Sequence, residues 1–547
     1  MLQTITNRGR SRIQFYIQHH CRRINQWIQP TGYDTGIKVY NSLTNSKVSL
    51  ILPQDKLATW YMCGPTVYDS PHLGHASSYV KFDIIRRIMT DLFDIDIVMV
   101  MGITDIDDKI VQRAADTKTG FRDLARKYEK EFLEDMECLN VLRATRVTRV
   151  TEHIDHIIKF IEKIFQHGYA YKTSDGSVYF YTEKYGDRYG KLAPSRQTIH
   201  KSIDKATDSE KISDRDFALW KAAKADEPCW QSPWGSGRPG WHIECSAMSS
   251  AIFGNQLDIH TGGIDLLFPH HENEIAQCEA YHQINQWTNY FLHTGHLHIA
   301  KEKMSKSLRN FVTIKDYLNL NSPDQFRTLC LLSKYRSPTE YNSDIFKKAE
   351  VVHQKFSSYI NDAKAYVDGS INSLIASESE ILEKLAMTKS QVRIALADDF
   401  DTPTAINYLL NLLSFANVHS NTTTKSKRPY TARSPSVIAA VSTYVEKLLS
   451  SFGLSRQDDK RYSPLSESVV DSVVGFRSNI RNYALDKLKN RLKLPSDYES
   501  SKNPDCSYLL DLCDNYRNDL LNAGIIVKDH DKKSSWETAL KEDVIFK

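Results

Sequence analysis

No run of the 547 residues approaches the roughly 18 consecutive apolar positions that a membrane-spanning helix needs, so no membrane partner is expected. The nine cysteines (Cys21, Cys63, Cys138, Cys229, Cys245, Cys278, Cys330, Cys506, Cys513) lack any paired spacing. Odd in number and scattered, they exclude a disulfide framework and point to reduced thiols in a reducing compartment. No internal repeat is present. Before Asp34 there is no acidic residue, although Arg8, Arg10, Arg12, Arg22 and Arg23 all fall there. An Arg-rich, acid-free, amphipathic leader ("IQFYIQHHCRRINQWIQ") reads as a mitochondrial presequence over 1–33, with the matrix as destination, or more plainly as a basic tail. The missing apolar h-region excludes a secretory signal. Without those five arginines, 66 basic residues face 67 acidic ones, so net charge lends no support to nucleic-acid binding and only a local patch can supply it.

What is present is the balance of a soluble globular protein, 41% hydrophobic and 25% charged, at a length that predicts three or four units. Residues 58–63 ("ATWYMC") read as a short buried strand. A turn follows, then a helix over 76–93 with Val80, Ile84, Ile85, Ile88, Met89, Leu92 and Phe93 at helical spacing. The almost unbroken apolar run at 95–105 suits a strand buried on both faces. Strand, helix and strand in that order predict an α/β fold with a doubly wound parallel sheet. Its ligand site should lie at the carboxyl ends of the strands, where Cys63 and Thr104–Asp105 fall. Residues 120–168 read as helical and 171–240 as an irregular inserted subdomain. Beyond about 315 the pattern is almost wholly helical, with polar breaks at 420–435 and 455–466 and a loop at 494–506.

Two sets of residues carry chemistry. In "FPHHENEIAQCEA" His270 and Glu274 are four apart, one face of a helix with Pro269 in its first turn. With Cys63 and with Cys245 of "GWHIECSAM" they make two thiolates, an imidazole and a carboxylate, a donor set suited to tetrahedral zinc. Spacing leaves this open, because a His-x-x-x-Glu is usually a surface pair and a cysteine after an apolar strand is usually core. His271 is an alternative ligand, about 100° round the same helix. The second set is "HLGH", His72 to His75, at a helix start directly after a strand. There backbone N–H groups and imidazoles attract phosphate, and Gly74 permits close approach. Far downstream, "KEKMSKSLRN" puts Lys303 and Lys306 on a polar loop, where two ammonium groups can clamp a triphosphate. A solvated charged loop is the plainer reading.

Here the motifs become recognisable. "HLGH" and "KMSKS" resemble the two signatures of class I aminoacyl-tRNA synthetases. "YMCGPTVYD", "ITDIDDKI", "SPWGSGRPGWHIECSAM", "DLLFPHHENEIAQ" and "KMSKSLRN" closely resemble the cysteinyl-tRNA synthetases, from about residue 37 to "GIIVKDHDKKSSW" (524–536). With the basic leader, the mitochondrial branch is the nearer match. The resemblance implies a Rossmann-type catalytic domain at 37–315 with an insertion at about 135–235. It further implies a stem-contact segment at 316–345, a helical bundle at 346–460 and a small anticodon-binding domain at 461–547. It implies one Zn2+ per chain on Cys63, Cys245, His270 and Glu274, settling His270 over His271. Gly64, Thr104 and Trp241 would meet L-cysteine. His72, Gly74, His75, Lys109 and Lys306 would meet ATP or the adenylate, with Lys303 assisting and Gly262, Gly263 and Asp265 near the adenosine. ATP with Mg2+ and tRNA(Cys) are the implied partners, and a monomer is slightly favoured.

The family's reaction joins cysteine to tRNA(Cys) through cysteinyl-adenylate, and zinc on the substrate thiol would distinguish cysteine from serine. Arg477, Arg481, Lys487, Lys489, Arg491 and Lys493 are expected to approach the anticodon. The mitochondrial branch is also linked to persulfide formation with pyridoxal phosphate on lysines near "KIVQR" and "KMSKS", which this sequence permits. Two departures stand out: Leu73 replaces the usual isoleucine, and Gly102 replaces a common asparagine. Two other readings compete. A ligase joining cysteine to an amino sugar shares the motifs, but the long helical C-terminal region speaks against it. A zinc-stabilised RNA-binding protein with dead signatures is opposed by intact His72, His75 and Lys306.

Overall fold

The computed structural model describes residues 27–193, 210–299, 302–304, 310–371, 375, 377–420, 433–454, 464–491, 504–530 and 533–538. The chain forms two compact units, Met1–Lys347 with Arg393–Pro403, and Lys348–Val392 with Thr404–Lys547.

The first unit is organised by five parallel strands: β1 (Leu57–Thr66), β2 (Asp96–Thr104), β3 (Arg146–Arg149), β4 (Leu257–Gly263) and β5 (Thr288–Thr294). They lie in the order β5-β4-β1-β2-β3, so the direction of winding reverses between β1 and β4. A reversal of this kind opens a crevice at the carboxyl ends of the two strands, where ligands bind in doubly wound folds. The expected α/β class and parallel sheet are therefore observed. Central β1 is covered on both faces, with Ala58, Trp60 and Tyr61 all fully buried. This is why its sequence runs apolar without alternating.

Helix α1 (Leu73–Phe93) crosses from β1 to β2 and begins three residues earlier than its apolar period suggests, because His72 caps it. It ends at Asp94, in the left-handed conformation. Helices α2 (Trp241–Phe253) and α3 (Glu272–His282) flank β4 in the chain. Two stretches depart from expectation. The span 120–168, read as helical, contains β3 between helices Phe121–Cys138 and Ile154–Gln166. The span 171–240, read as irregular, contributes to an antiparallel sheet of Ala170–Lys172, Val178–Phe180, Phe217–Ala222 and Gly237–Pro239. Apart from Phe217–Ala222, these strands have three or four residues, too few to show a period in sequence.

The second unit is mainly helical, including Pro435–Ser451, Pro464–Arg491 and Pro504–Asn522, and ends in a hairpin of Ile525–His530 and Lys533–Thr538. Val470, Val474, Ile525 and Val527 form a small apolar cluster where the hairpin packs on the helix Pro464–Arg491. For one member of the basic run, Arg477, the expectation that it faces RNA is corrected here. Arg477 is buried, its guanidinium donating to the Cys513 carbonyl at 2.8 Å and to both Asp529 carboxylate oxygens. Arg481 leans on the same carboxylate at 3.4 Å. A buried guanidinium needs such partners, so Arg477 is a structural residue. Lys487 and Lys489 remain exposed, while Lys493 and most of the 494–506 loop lie outside the described residues.

Candidate active site

At the crevice between β1 and β4 four donors converge. Cys63 comes from the end of β1, Cys245 from α2, His270 from the turn before α3 and Glu274 from its first turn; all are buried, with ligand atoms mutually within 4.8 Å. The sulfurs are 3.8 Å apart, Cys63 Sγ is 3.7 Å from Glu274 Oε1, and His270 Nε2 is 3.0 Å from that oxygen. Two thiolates on one tetrahedral ion at ~2.3 Å bond length sit ~3.8 Å apart, so the observed spacing fits a zinc-sized ion. Outer contacts aim the ligands. His242 Nδ1 lies 2.9 Å from His270 Nδ1, which turns His270 Nε2 inward, and His260 Nε2 holds the second Glu274 oxygen at 2.8 Å. Trp241 stacks on the His270 ring at 4.3 Å.

The local charge follows from this crowding. Burial alone would raise the Glu274 carboxyl, but His260 and His270 outweigh it and hold it down at about 2. Burial likewise disfavours a charged His270, yet Glu274 and the Cys245 thiol raise it to about 10. A hydrogen bond from Cys63 lowers the Cys245 thiol to about 6 against its burial. The pocket thus favours two anionic donors and holds a proton where a cation fits.

The helical argument that separated His270 from His271 does not hold as stated. Regular α-helix starts only at Glu272, and Phe268 is extended (φ −142°, ψ 130°), so both imidazoles reach inward. His271 Nε2 lies 3.5 Å from Cys63 Sγ, and Cys63, His260, His271 and Glu274 form a second compact donor group. The His271 ring is tied by its other nitrogen to His293 at 2.8 Å. Of the two groups, the one with two thiolates is the softer and suits zinc better.

Beside the metal pocket, Thr104 at the end of β2 donates its hydroxyl to Glu244 Oε2 at 2.9 Å. Glu244 precedes Cys245 on α2 and is 1% exposed. Gly64 follows Cys63 where β1 approaches β2 so closely that a Cβ would strike the Gly102 carbonyl oxygen.

The two signatures meet at the start of α1. His72 Nδ1 accepts from the Gly74 N–H and His75 Nδ1 from the His72 N–H, with the rings stacked at 3.9 Å. The two imidazoles thereby satisfy helix N–H groups that sequence reasoning had assigned to phosphate. A Cβ on Gly74 would crowd the His72 ring and lie 3.6 Å from the Met304 carbonyl oxygen, and the Leu73 N–H donates to Val312. Lys303 Nζ pairs with Asp265 Oδ2 at 2.9 Å, just past the Gly262–Gly263 end of β4. Lys109 lies in the first turn of the helix Asp108–Thr117, with its ammonium over the Tyr68 ring. Lys306 lies outside the described residues.

Residues 50–351 match the family model described as "tRNA synthetases class I (C) catalytic domain". A protein of Xenopus tropicalis named probable cysteine--tRNA ligase, mitochondrial, is 49% identical, covering 93% of this chain and 91% of that one. The chain belongs to the cysteine–tRNA ligase family. The cysteine–tRNA ligase of Encephalitozoon cuniculi is 40% identical over 92% of this chain and 99% of its own length. The methionyl-tRNA synthetase of Mycobacterium tuberculosis, solved with methionyl-adenylate, superposes with a TM-score of 0.57 at 16% identity, covering 73% of this chain and 92% of that one. At that identity it speaks to the fold alone. As a cysteine–tRNA ligase family member, the chain gathers its expected metal ligands in one pocket. Sequence reasoning missed His242, Glu244, His260 and His293, single polar residues whose importance lies only in what they face.

Proposed function

We propose that this protein attaches L-cysteine to tRNA(Cys) in two steps, through cysteinyl-adenylate, in mitochondria. The observation that carries this reading is the buried Cys63–Cys245–His270–Glu274 cluster at the switch point of the sheet, next to the hydrogen-bonded signature segments. The name of the frog relative and the basic leader support the location.

Zinc is the ion that best suits two thiolates, an imidazole and a carboxylate. When bound, it favours the thiolate of cysteine (free thiol pKa about 8.5) over the far less acidic hydroxyl of serine, a distinction that pocket shape alone makes only about 100-fold. Cys63, Cys245, His270 and Glu274 would hold it, His242 and His260 would orient the ligands, and Trp241 and Gly64 would wall the substrate. Thr104 would meet the amino acid backbone.

The substrate carboxylate then attacks the α-phosphate of ATP, forming the mixed anhydride and releasing pyrophosphate. His72, His75, Lys109, Lys303 and Lys306, with Mg2+ on the ATP, would position the phosphates and stabilise the developing charge. Gly262, Gly263 and Asp265 would border the adenosine. In the second step a terminal ribose hydroxyl of tRNA(Cys) attacks the anhydride carbonyl and AMP departs.

Cysteine-dependent ATP–pyrophosphate exchange, with serine as comparison and Cys245→Ser as the variant, tests the first step. Exchange with cysteine only, lost with the metal in the variant, is expected. Absence of exchange in metal-loaded, folded protein overturns the reading, and charging of tRNA(Cys) separates a synthetase from a cysteine–amino-sugar ligase.

A further inference from the structure

We propose that proteolytic maturation removes the basic leader before Trp27, and that residues 27–32 stay in the mature chain as a strap across the open edge of β5. The cut rests on the reading that the chain works in mitochondria; the strap does not.

Charge alone puts the end of the leader at residue 33, because no acidic residue precedes Asp34. Charge marks what an import machinery reads, not where the folded chain begins. Three observations tie residues 27–32 to the catalytic unit. First, β5 lies at the end of the five-stranded sheet, so its outward backbone groups have no strand partner among the described residues. An open edge of this kind has to be covered. The Asn289 carbonyl accepts from the Trp27 indole N–H at 2.7 Å and from the Asn41 side-chain amide at 3.0 Å. The Phe291 N–H donates to Asn41 Oδ1 at 3.1 Å, and its carbonyl accepts from the Ser42 N–H at 3.0 Å. Second, Gln286 uses both ends of its side-chain amide on Ile28. It accepts from the Ile28 N–H and donates to the Ile28 carbonyl, each at 2.8 Å. Third, the Trp27 ring lies 5.9 Å from the Tyr290 ring and walls a cavity with Leu43, Ile275 and Phe291. Further on, Gly32 turns the chain at φ +142°, where a Cβ would strike the Leu52 carbonyl oxygen.

A terminal segment is ordered only where it is tied down, and this one is tied at Trp27 and Ile28. A cut at residue 33 would uncover the Asn289 carbonyl and open the cavity to water. A cut between Arg23 and Trp27 removes all five leader arginines and spares the strap. The step is hydrolysis of one peptide bond by a peptidase that reads basic leaders. Water gives its hydroxyl to the new carboxyl terminus and its hydrogen to the new amine.

Mass spectrometry of the chain recovered from mitochondria reads its first residue. A chain shortened past its initiator methionine and starting no later than Trp27 is expected. An intact leader, or a start beyond Trp27, overturns the cut. In the full chain, Trp27→Ala should lower the melting temperature by about 2–4 °C, and Gln286→Ala, which releases Ile28, should lower it as well. Gln29→Ala, exposed on the same segment, should leave it unchanged. Trp27→Ala and Gln286→Ala melting with the wild type overturn the strap. A mitochondrial chain that starts beyond Trp27 sinks this inference alone. A chain absent from mitochondria sinks the proposed location and the cut together, and the melting temperatures then decide the strap.

Discussion

At Gly102 the packing around the two thiols leaves no room for a side chain. A Cβ there would collide with the Tyr61 hydroxyl, and Tyr61 is a fully buried residue set beside Cys63 and Cys245. The asparagine common at this place in the family would meet the same atom. Gly102→Ala is expected to displace Tyr61 and destabilise the chain by about 1–3 kcal/mol, as overpacking does. Urea unfolding measures the loss, and metal analysis should show reduced occupancy as β1 shifts beside Cys63. A second residue-scale expectation separates the neighbouring histidines. His270→Gln removes a ligand of the two-thiolate group and should abolish stoichiometric metal, whereas His271→Gln should retain it. Metal retention in the first variant and loss in the second would place the ion on the other group. Because thiol, imidazole and carboxyl donors bind metal only when deprotonated, affinity should fall as pH is lowered, measurable by competition with a chelator.

Among the elements, the helix Phe121–Cys138 carries a carboxyl in an unfavourable place. Burial raises Asp135 to about 6, opposed by Lys315 and reinforced by Glu131 and Glu134. In the unfolded chain an aspartate titrates near 4, so between about pH 4 and 6 the native state binds the extra proton and loses stability as pH rises. Asp135→Asn should therefore raise the melting temperature at pH 8, and the gain should vanish near pH 4. The elements also differ in how openly the sequence declares them. β1 and β2 were legible as unbroken apolar runs, and α1 by the helical spacing of its apolar residues. β3, with the sequence RVTR, was not; β2 offers it an edge to pair with, and that edge is a tertiary fact. The metal ligands were legible as residue types, but bringing β4 beside β1 unites positions far apart in the chain. Nothing local distinguishes Glu244 or His260 from any other polar residue. Spacing alone left the choice between His270 and His271 open, and regular helix begins only after both.

For the whole molecule, the division into two units does not follow the chain. The catalytic unit takes back residues 393–403 after the chain has entered the helical unit. Asp399 in that segment accepts hydrogen bonds from the Tyr40 N–H, the Tyr335 hydroxyl and the Arg336 guanidinium, each at 2.9 Å. Thr402 donates to the Leu331 carbonyl. A chain ended after residue 347 leaves the Tyr335 hydroxyl without this partner inside the protein, which costs about 1–3 kcal/mol for each such group. It should unfold at lower urea than the catalytic unit of the full chain, and Asp399→Ala in the full chain should reproduce part of the loss.

The same returning segment sets a timetable for synthesis. A ribosome delivers the sheet, both signature segments and the whole metal pocket well before it delivers Asp399. Domains generally close as units while the chain emerges, but this one must wait for its last piece with Tyr335 and Arg336 uncapped. The nascent catalytic unit is therefore at its most vulnerable when it looks nearly complete. Slow translation through residues 348–392 lengthens that exposure, and assistance by a chaperone is worth most there.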